Sequence, residues 1–239
     1  KGSFWTLASQ VLPLGISVIV TPFIIRFLGT EGYGAMIIVG LTTTYLGFAD
    51  FGMSIASTKF AAQAYADRDP NKEANIIRTA VVITLMSSIP FATIIFVLST
   101  EIIEFLNVPS SLAMEASVAL KLASITFVAS MANGVLNTPQ LTRLRMDLNS
   151  LVNAGFRILG LISTPVVLYY GGGLVGVFFV LLAVSLFTLA GHIFVSGRLL
   201  PQLYGLNADR SMIGQLLKFG GALSVGSIAV LLLSNLEKG

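Results

Sequence analysis

Apolar residues run along this chain in long blocks, and polar or charged residues gather in the short gaps between them. A helix needs about 20 apolar residues to cross a bilayer. Six blocks meet that length, at about 4–28, 33–66, 74–99, 112–137, 150–170 and 174–199, and a seventh begins near Ser211. Pro13, Pro22, Pro90 and Pro165 lie inside blocks. A water-exposed helix would break at such positions. A membrane helix can bend there, because neighbouring groups re-satisfy the freed carbonyls.

The gaps predict the connections. Gly29-Thr30-Glu31-Gly32 reads as a turn, 67–72 as a polar loop at which Pro70 ends the second helix, and 142–149 as a short basic loop. The 100–111 stretch reads as a loop partly in the interface through Ile102, Ile103 and Phe105. Gly171–Gly173 is a tight turn, and 201–210 is polar. The loops after the even spans carry Arg68 and Lys72, then Arg143 and Arg145, then Arg210 with Arg198 just before it. Those after the odd spans carry Glu31, Glu101 and Glu104, with no Lys or Arg. Short basic loops stay in the cytoplasm, so the N-terminus is expected there.

The fold class is therefore all-α: a polytopic membrane protein with a six-helix lobe over 1–210. Six crossings return the chain to its starting side, so span 7 has the orientation of span 1, as in transporters built from parallel repeats. The 211–239 stretch is then expected to begin a second lobe, and the chain to be part of a longer protein.

Composition narrows the function. Of 239 residues, 55% are hydrophobic and only 10% charged, and mean hydropathy is +0.88. A soluble domain carries about 25% charge. With no Cys and one His, thiolate catalysis and Cys- or His-based metal sites are not expected. A net charge of +3 from scattered residues is not the clustered basic face that nucleic acid requires. No Ser/His/Asp set or paired carboxylates suggest an enzyme, and Gly171–Gly173 lacks the GKS or GKT of a phosphate loop.

Three stretches carry a resemblance: FLGTEGYGAM at 27–36, FADFGMSIASTKFAA at 48–62 and FGGALSVGSIAVLLLSNLEK at 219–238. With the rhythm of six spans and basic even loops, they resemble the polysaccharide-transport family. That family consists of lipid-linked oligosaccharide flippases within the multidrug/oligosaccharidyl-lipid/polysaccharide exporter superfamily. The resemblance covers the chain but only the first half of a usual member. It implies a plasma-membrane flippase that moves an undecaprenyl-pyrophosphate-linked oligosaccharide outward by rocking two lobes around a central cavity. The lipid-linked oligosaccharide, the bilayer and a polysaccharide polymerase or glycosyltransferases are the implied partners, with no cofactor.

Charges inside spans are the candidate site residues, because a charge in hydrocarbon is costly. Asp50 would share a helical face with Gly47, Ser54 and Ser57. It either lines a cavity, for a cation, a proton or a sugar, or bonds a neighbouring helix where small residues let backbones approach. Lys59 falls at the cytoplasmic edge of its span, as a snorkelling residue or as a first contact for pyrophosphate. Arg26 near the outer surface is an interfacial anchor or a phosphate fork. Arg157 lies about two turns inside span 5, with Asn153 one turn before it, and would attract an anionic head group if it faced the lumen. Lys121 has a similar depth in span 4. His192 is a proton-coupling or a polar packing residue. Asn133 and Asn137 are expected to serve packing. These cations outweigh Asp50, a sign that favours an anionic substrate. The alternative is a cation-coupled multidrug exporter, which needs lumen carboxylates. A membrane enzyme or assembly scaffold is a third class.

Overall fold

The structure is a computed structural model, and it describes residues 2–44, 50–205 and 210–236. The described residues form helices and turns, with no strand among them. In order they are α1 (Gly2–Thr44), α2 (Met53–Ala66), α3 (Pro70–Val97), α4 (Ser99–Phe105), α5 (Ser110–Leu136), α6 (Thr138–Thr142), α7 (Met146–Tyr169) and α8 (Gly173–Leu199). A 3-10 turn at Pro201–Tyr204 and α9 (Arg210–Leu236) follow. Five of the described helices are long and apolar enough to cross a membrane.

The first of these combines two expected elements. α1 has 43 residues, about 65 Å of helix against a hydrocarbon core of about 30 Å. Its backbone leaves the helical region at Gly29, with φ 71° and ψ 172°, a conformation open essentially to Gly alone. The expected four-residue turn is thus a single bent residue between arms 2–28 and 30–44.

The second expected span, drawn as one helix over 33–66, is interrupted. Phe51 and Gly52 both have positive φ, and α2 starts only at Met53. Gly52 is needed there for a second reason: a Cβ would lie 2.5 Å from the Gly220 carbonyl of α9. Close approach of two backbones, rather than hydrophobic periodicity, decides this break. Gly47 lies outside the described residues.

Other boundaries shift for local reasons. Pro70 does not merely end a helix; it opens α3. The Asp69 side chain accepts from Lys72 N at 2.9 Å, and Pro70 needs no N–H donor at that position. The 100–111 stretch is not all loop: α4 tucks Ile103 into the core and leaves Phe105 outside. Helix α7 starts at Met146, inside the expected 142–149 loop. Ser and Thr inside spans hide their hydroxyls by donating to the preceding turn, as Thr21 does to Ser17 O, Thr126 to Leu122 O and Thr188 to Val184 O.

Neighbouring helices show the chain's direction. The first arm of α1 and α7 run in parallel: Ser150 Oγ donates to Trp5 O at 3.1 Å near one end, and Phe27 meets Tyr169 at the other. α5 and α8 are parallel too, joined by Leu174 N to Glu115 at 3.4 Å and by Ser196 Oγ to Leu136 O at 2.6 Å. α3 opposes α5, with Phe96 beside Lys121. One end of the bundle thus gathers Arg68, Lys72, Arg143, Arg145 and Arg198. The other gathers Glu31, Glu101, Glu104 and Glu115. The charge alternation read along the sequence becomes a polarity in space.

At the basic end, Glu73 of α3 is 1% exposed and holds Arg143 through two bonds, Nη1 to Oε1 at 2.6 Å and Nη2 to Oε2 at 3.1 Å. The guanidinium also lies over the Tyr65 ring of α2, 4.6 Å from its centroid. This clamp ties α2, α3 and the α6–α7 link together. At the acidic end, an apolar cluster of Ala35, Val39, Ile103, Leu120, Leu174 and Phe178 closes the bundle.

Candidate substrate-facing surface

Helix α7 is held on two sides. α1 packs through Trp5, Ala8 and Leu12 against Ser150, Leu151 and Ala154. α8 packs where glycines allow it, Gly160 against Val184, and Gly191 against Val152 and Phe156. Two faces remain. One shows Leu159, Ile162 and Val166, with Ser163 donating its hydroxyl to Leu159 O, and is suited to lipid. The other shows Asn153 and Arg157, one turn apart and both exposed. Arg157 has no carboxylate partner among the described residues.

Asn153 leads into a polar chain beneath this face. Its Oδ1 lies 3.3 Å from His192 Nε2, and His192 Nδ1 lies 3.0 Å from Gln140 Nε2. Gln140 Nε2 also donates to Ser196 Oγ at 3.1 Å. The amide donates to Nδ1, so the network assigns the ring proton to Nε2, which donates to Asn153. His192 is 0% exposed, and both ring nitrogens are used. It bridges α6, α7 and α8.

Separate from this chain, a cavity of about 350 Å³ is lined by Gly40, Thr43 and Thr44 of α1, Ala123, Thr126, Phe127, Ser130 and Met131 of α5, and Phe178 and Leu181 of α8. Lys121 does not face it. Thr126 and Ser130 lie about 140° and 180° around α5 from Lys121. Lys121 instead points to the α3 side, its Nζ 5.8 Å from the Phe96 ring centroid.

The remaining candidates are also separate. Asp50 sits just before α2, and its Oδ2 accepts from Ser54 Oγ at 2.6 Å and Ser54 N at 3.2 Å. Its Oδ1 lies 3.4 Å from Thr84 Oγ1 of α3. The expected Asp50–Ser54–Ser57 helical stripe is replaced by a carboxylate that caps the start of α2. Lys59 Nζ stands 3.7 Å from the centroid of Phe219 on α9, a cation–π contact. Arg26 is exposed, three residues before the bend at Gly29. Of the six residues singled out, the structure brings His192 and the Arg157 face together through Asn153, and leaves the other four apart.

From the sequence, Asn133 and Asn137 are expected to serve packing, and Gln140 is not singled out. Asn133 Oδ1, Asn137 Oδ1 and Gln140 Oε1 are buried without a hydrogen-bond partner among the described residues. Offsets of four and seven place them on one side of the α5–α6 run. Buried acceptors are normally satisfied, so these are places where water or a ligand group can bond. The signal was available as three amides at helical spacing in an apolar stretch.

No curated protein matches the chain. The MatE family pattern matches residues 6–142, from the first arm of α1 through α6, more than half of the chain. Members of that family are membrane transporters of the multidrug/oligosaccharidyl-lipid/polysaccharide exporter superfamily, not enzymes. With that match over an all-helical bundle of long apolar helices, the chain belongs to the MatE family.

Proposed function

We propose that this lobe belongs to a flippase for a lipid-linked oligosaccharide with a pyrophosphate anion, moved outward for surface polysaccharide synthesis. One observation carries the reading: Arg157 is exposed beside Asn153 on the polar face of α7 and has no acidic partner among the described residues. A guanidinium in that position is matched to phosphate oxygens, which it binds through two parallel bonds. The hydroxyl-lined cavity and the unpartnered amide oxygens suit sugar hydroxyls. Asp50 supplies the contrast. A cation exporter draws on a free lumen carboxylate, and this one is occupied by Ser54 and Thr84.

In this reading the basic end faces the cytoplasm of a plasma (inner) membrane, and α9 starts a second lobe. Polymerase and glycosyltransferase partners act before and after the transfer. The test is Arg157→Gln in cells that express the natural gene. Loss of surface polysaccharide at unchanged protein level is the expected result. Unchanged polysaccharide, or cationic-dye efflux that depends on Asp50, would replace the flippase with a multidrug exporter.

A further inference from the structure

A second cationic site lies outside the interior, on the flank of the bundle. A groove of about 360 Å³ runs between α3, α8 and the Pro201–Tyr204 turn. Val81, Val82, Leu136, Ile193 and Leu203 make its walls apolar. Its rim continues into exposed Met86, Val82 and Phe194, the surface a lipid chain would touch. Within the groove, Arg78 is the one charged residue among the described residues.

Arg78 is half-buried and fixed in place by its own helix. Its Nε donates to Ala74 O at 3.2 Å, and its Nη2 donates to Asn75 Oδ1 at 2.9 Å. Nη1 makes no hydrogen bond among the described residues and faces Gly205. A Cβ at Gly205 would lie 2.5 Å from Nη1, so the glycine lets the guanidinium pack directly against the backbone there. No carboxylate lies within ion-pair distance of it among the described residues.

Depth adds a constraint. α3 has 28 residues, about 42 Å of helix, which exceeds a hydrocarbon core of about 30 Å. Arg78 is eight residues from the start of α3, about 12 Å. Its two helix bonds draw the guanidinium back toward that start, to the level of headgroup phosphates at the basic end. A fixed cation at phosphate depth, beside an apolar trench that opens sideways, matches an amphiphile with an anionic head.

We propose that this groove binds an anionic phospholipid of the leaflet at the basic end, with its phosphate on Arg78 Nη1 and an acyl chain along Val82, Ile193 and Leu203. The lipid would join α3 to α8 across a seam that the bundle leaves open. This site is distinct from the Arg157 face and does not depend on what that face transports.

Native mass spectrometry of the purified gene product tests it, with phosphatidylglycerol and phosphatidylcholine added in equal amounts. The expected result is preferential retention of phosphatidylglycerol by severalfold, because both lipids offer a phosphate to Arg78 but the choline ammonium of phosphatidylcholine is repelled by the guanidinium. Arg78→Gln should bring the two lipids to parity, and Arg78→Lys should keep part of the preference. Ile193→Trp fills the trench while leaving the charge, and should also lose the retained lipid. Equal retention of both lipids by the unmodified protein overturns the proposal. So does displacement of phosphatidylglycerol by millimolar inorganic phosphate, which would mark a free-anion site. If Arg78→Gln does not fold, the preference of the unmodified protein and the Ile193→Trp result decide the matter.

Discussion

Glu73 and Arg157 are both charges within helices long and apolar enough to cross a membrane, yet the structure treats them oppositely. Glu73 is sealed, held by two bonds from Arg143 and flanked by the Tyr65 ring. Arg157 stands exposed on the polar face of α7 with no counter-charge among the described residues. A sealed charge has already found its partner, so its role is to join α2, α3 and the α6–α7 link. An open charge can still take a partner, which makes it the better candidate for ligand. Burial alone would have ranked them the other way.

Substitutions can break this contrast, and the largest effect is expected at the clamp. Arg143→Ala leaves Glu73 buried and uncompensated, which costs about 3–5 kcal/mol. Thermal unfolding of the purified protein should show it. Replacing both residues with apolar ones of similar volume should restore much of the loss, because the pair is costly chiefly when half-broken. A small shift for Arg143→Ala would mean that the clamp is not a structural joint.

Next comes the seam between α2 and α9. Gly52→Ala combines a positive φ with a contact against Gly220 O, and about 1–3 kcal/mol is expected from the backbone conformation alone. Crosslinking of α2 to α9 would report the same loosening. An unfolding midpoint equal to that of the unmodified protein would contradict the close approach.

Asp50 lies between the two extremes. Asp50→Ala removes the acceptor for Ser54 N and Oγ, a loss of about 1 kcal/mol for a helix cap. Asp50→Asn keeps an acceptor and should be milder. If Asp50→Asn stops transport while leaving the unfolding midpoint in place, the carboxylate has a coupling role beyond capping.

Arg157→Gln should change stability least, by under about 0.5 kcal/mol, as at other exposed positions. It should nevertheless reduce transport by about tenfold or more, the worth of a charge-assisted bond to phosphate. Loss of stability without a specific transport defect would place Arg157 with Glu73 among the structural charges.

Much of this organisation was legible along the chain. Block length located the long apolar helices, because the bilayer sets a minimum of apolar residues that no soluble helix must meet, though it missed the break at Phe51 and Gly52. The alternation of basic and acidic gaps anticipated the polarity of the bundle, because each crossing carries the next gap to the opposite end. Arg157 stood out because an Arg with a nearby Asn, well inside a span, is costly without a reason.

Other features depended on what packs against what. Asp50 reads as part of a continuous helical stripe until the backbone turns at Phe51 and Gly52, and that turn is fitted to Gly220, far along the chain. Lys121 and Arg157 look alike in depth, yet α5 and α7 rotate them toward different neighbours. Glu73 and Arg143 are 70 positions apart, so local pattern cannot pair them. Hydropathy acts on each segment by itself, which is why the sequence determined the long apolar helices and the basic and acidic ends of the bundle. Rotation, close approach and pairing depend on partners remote in sequence, and only the tertiary structure decided them.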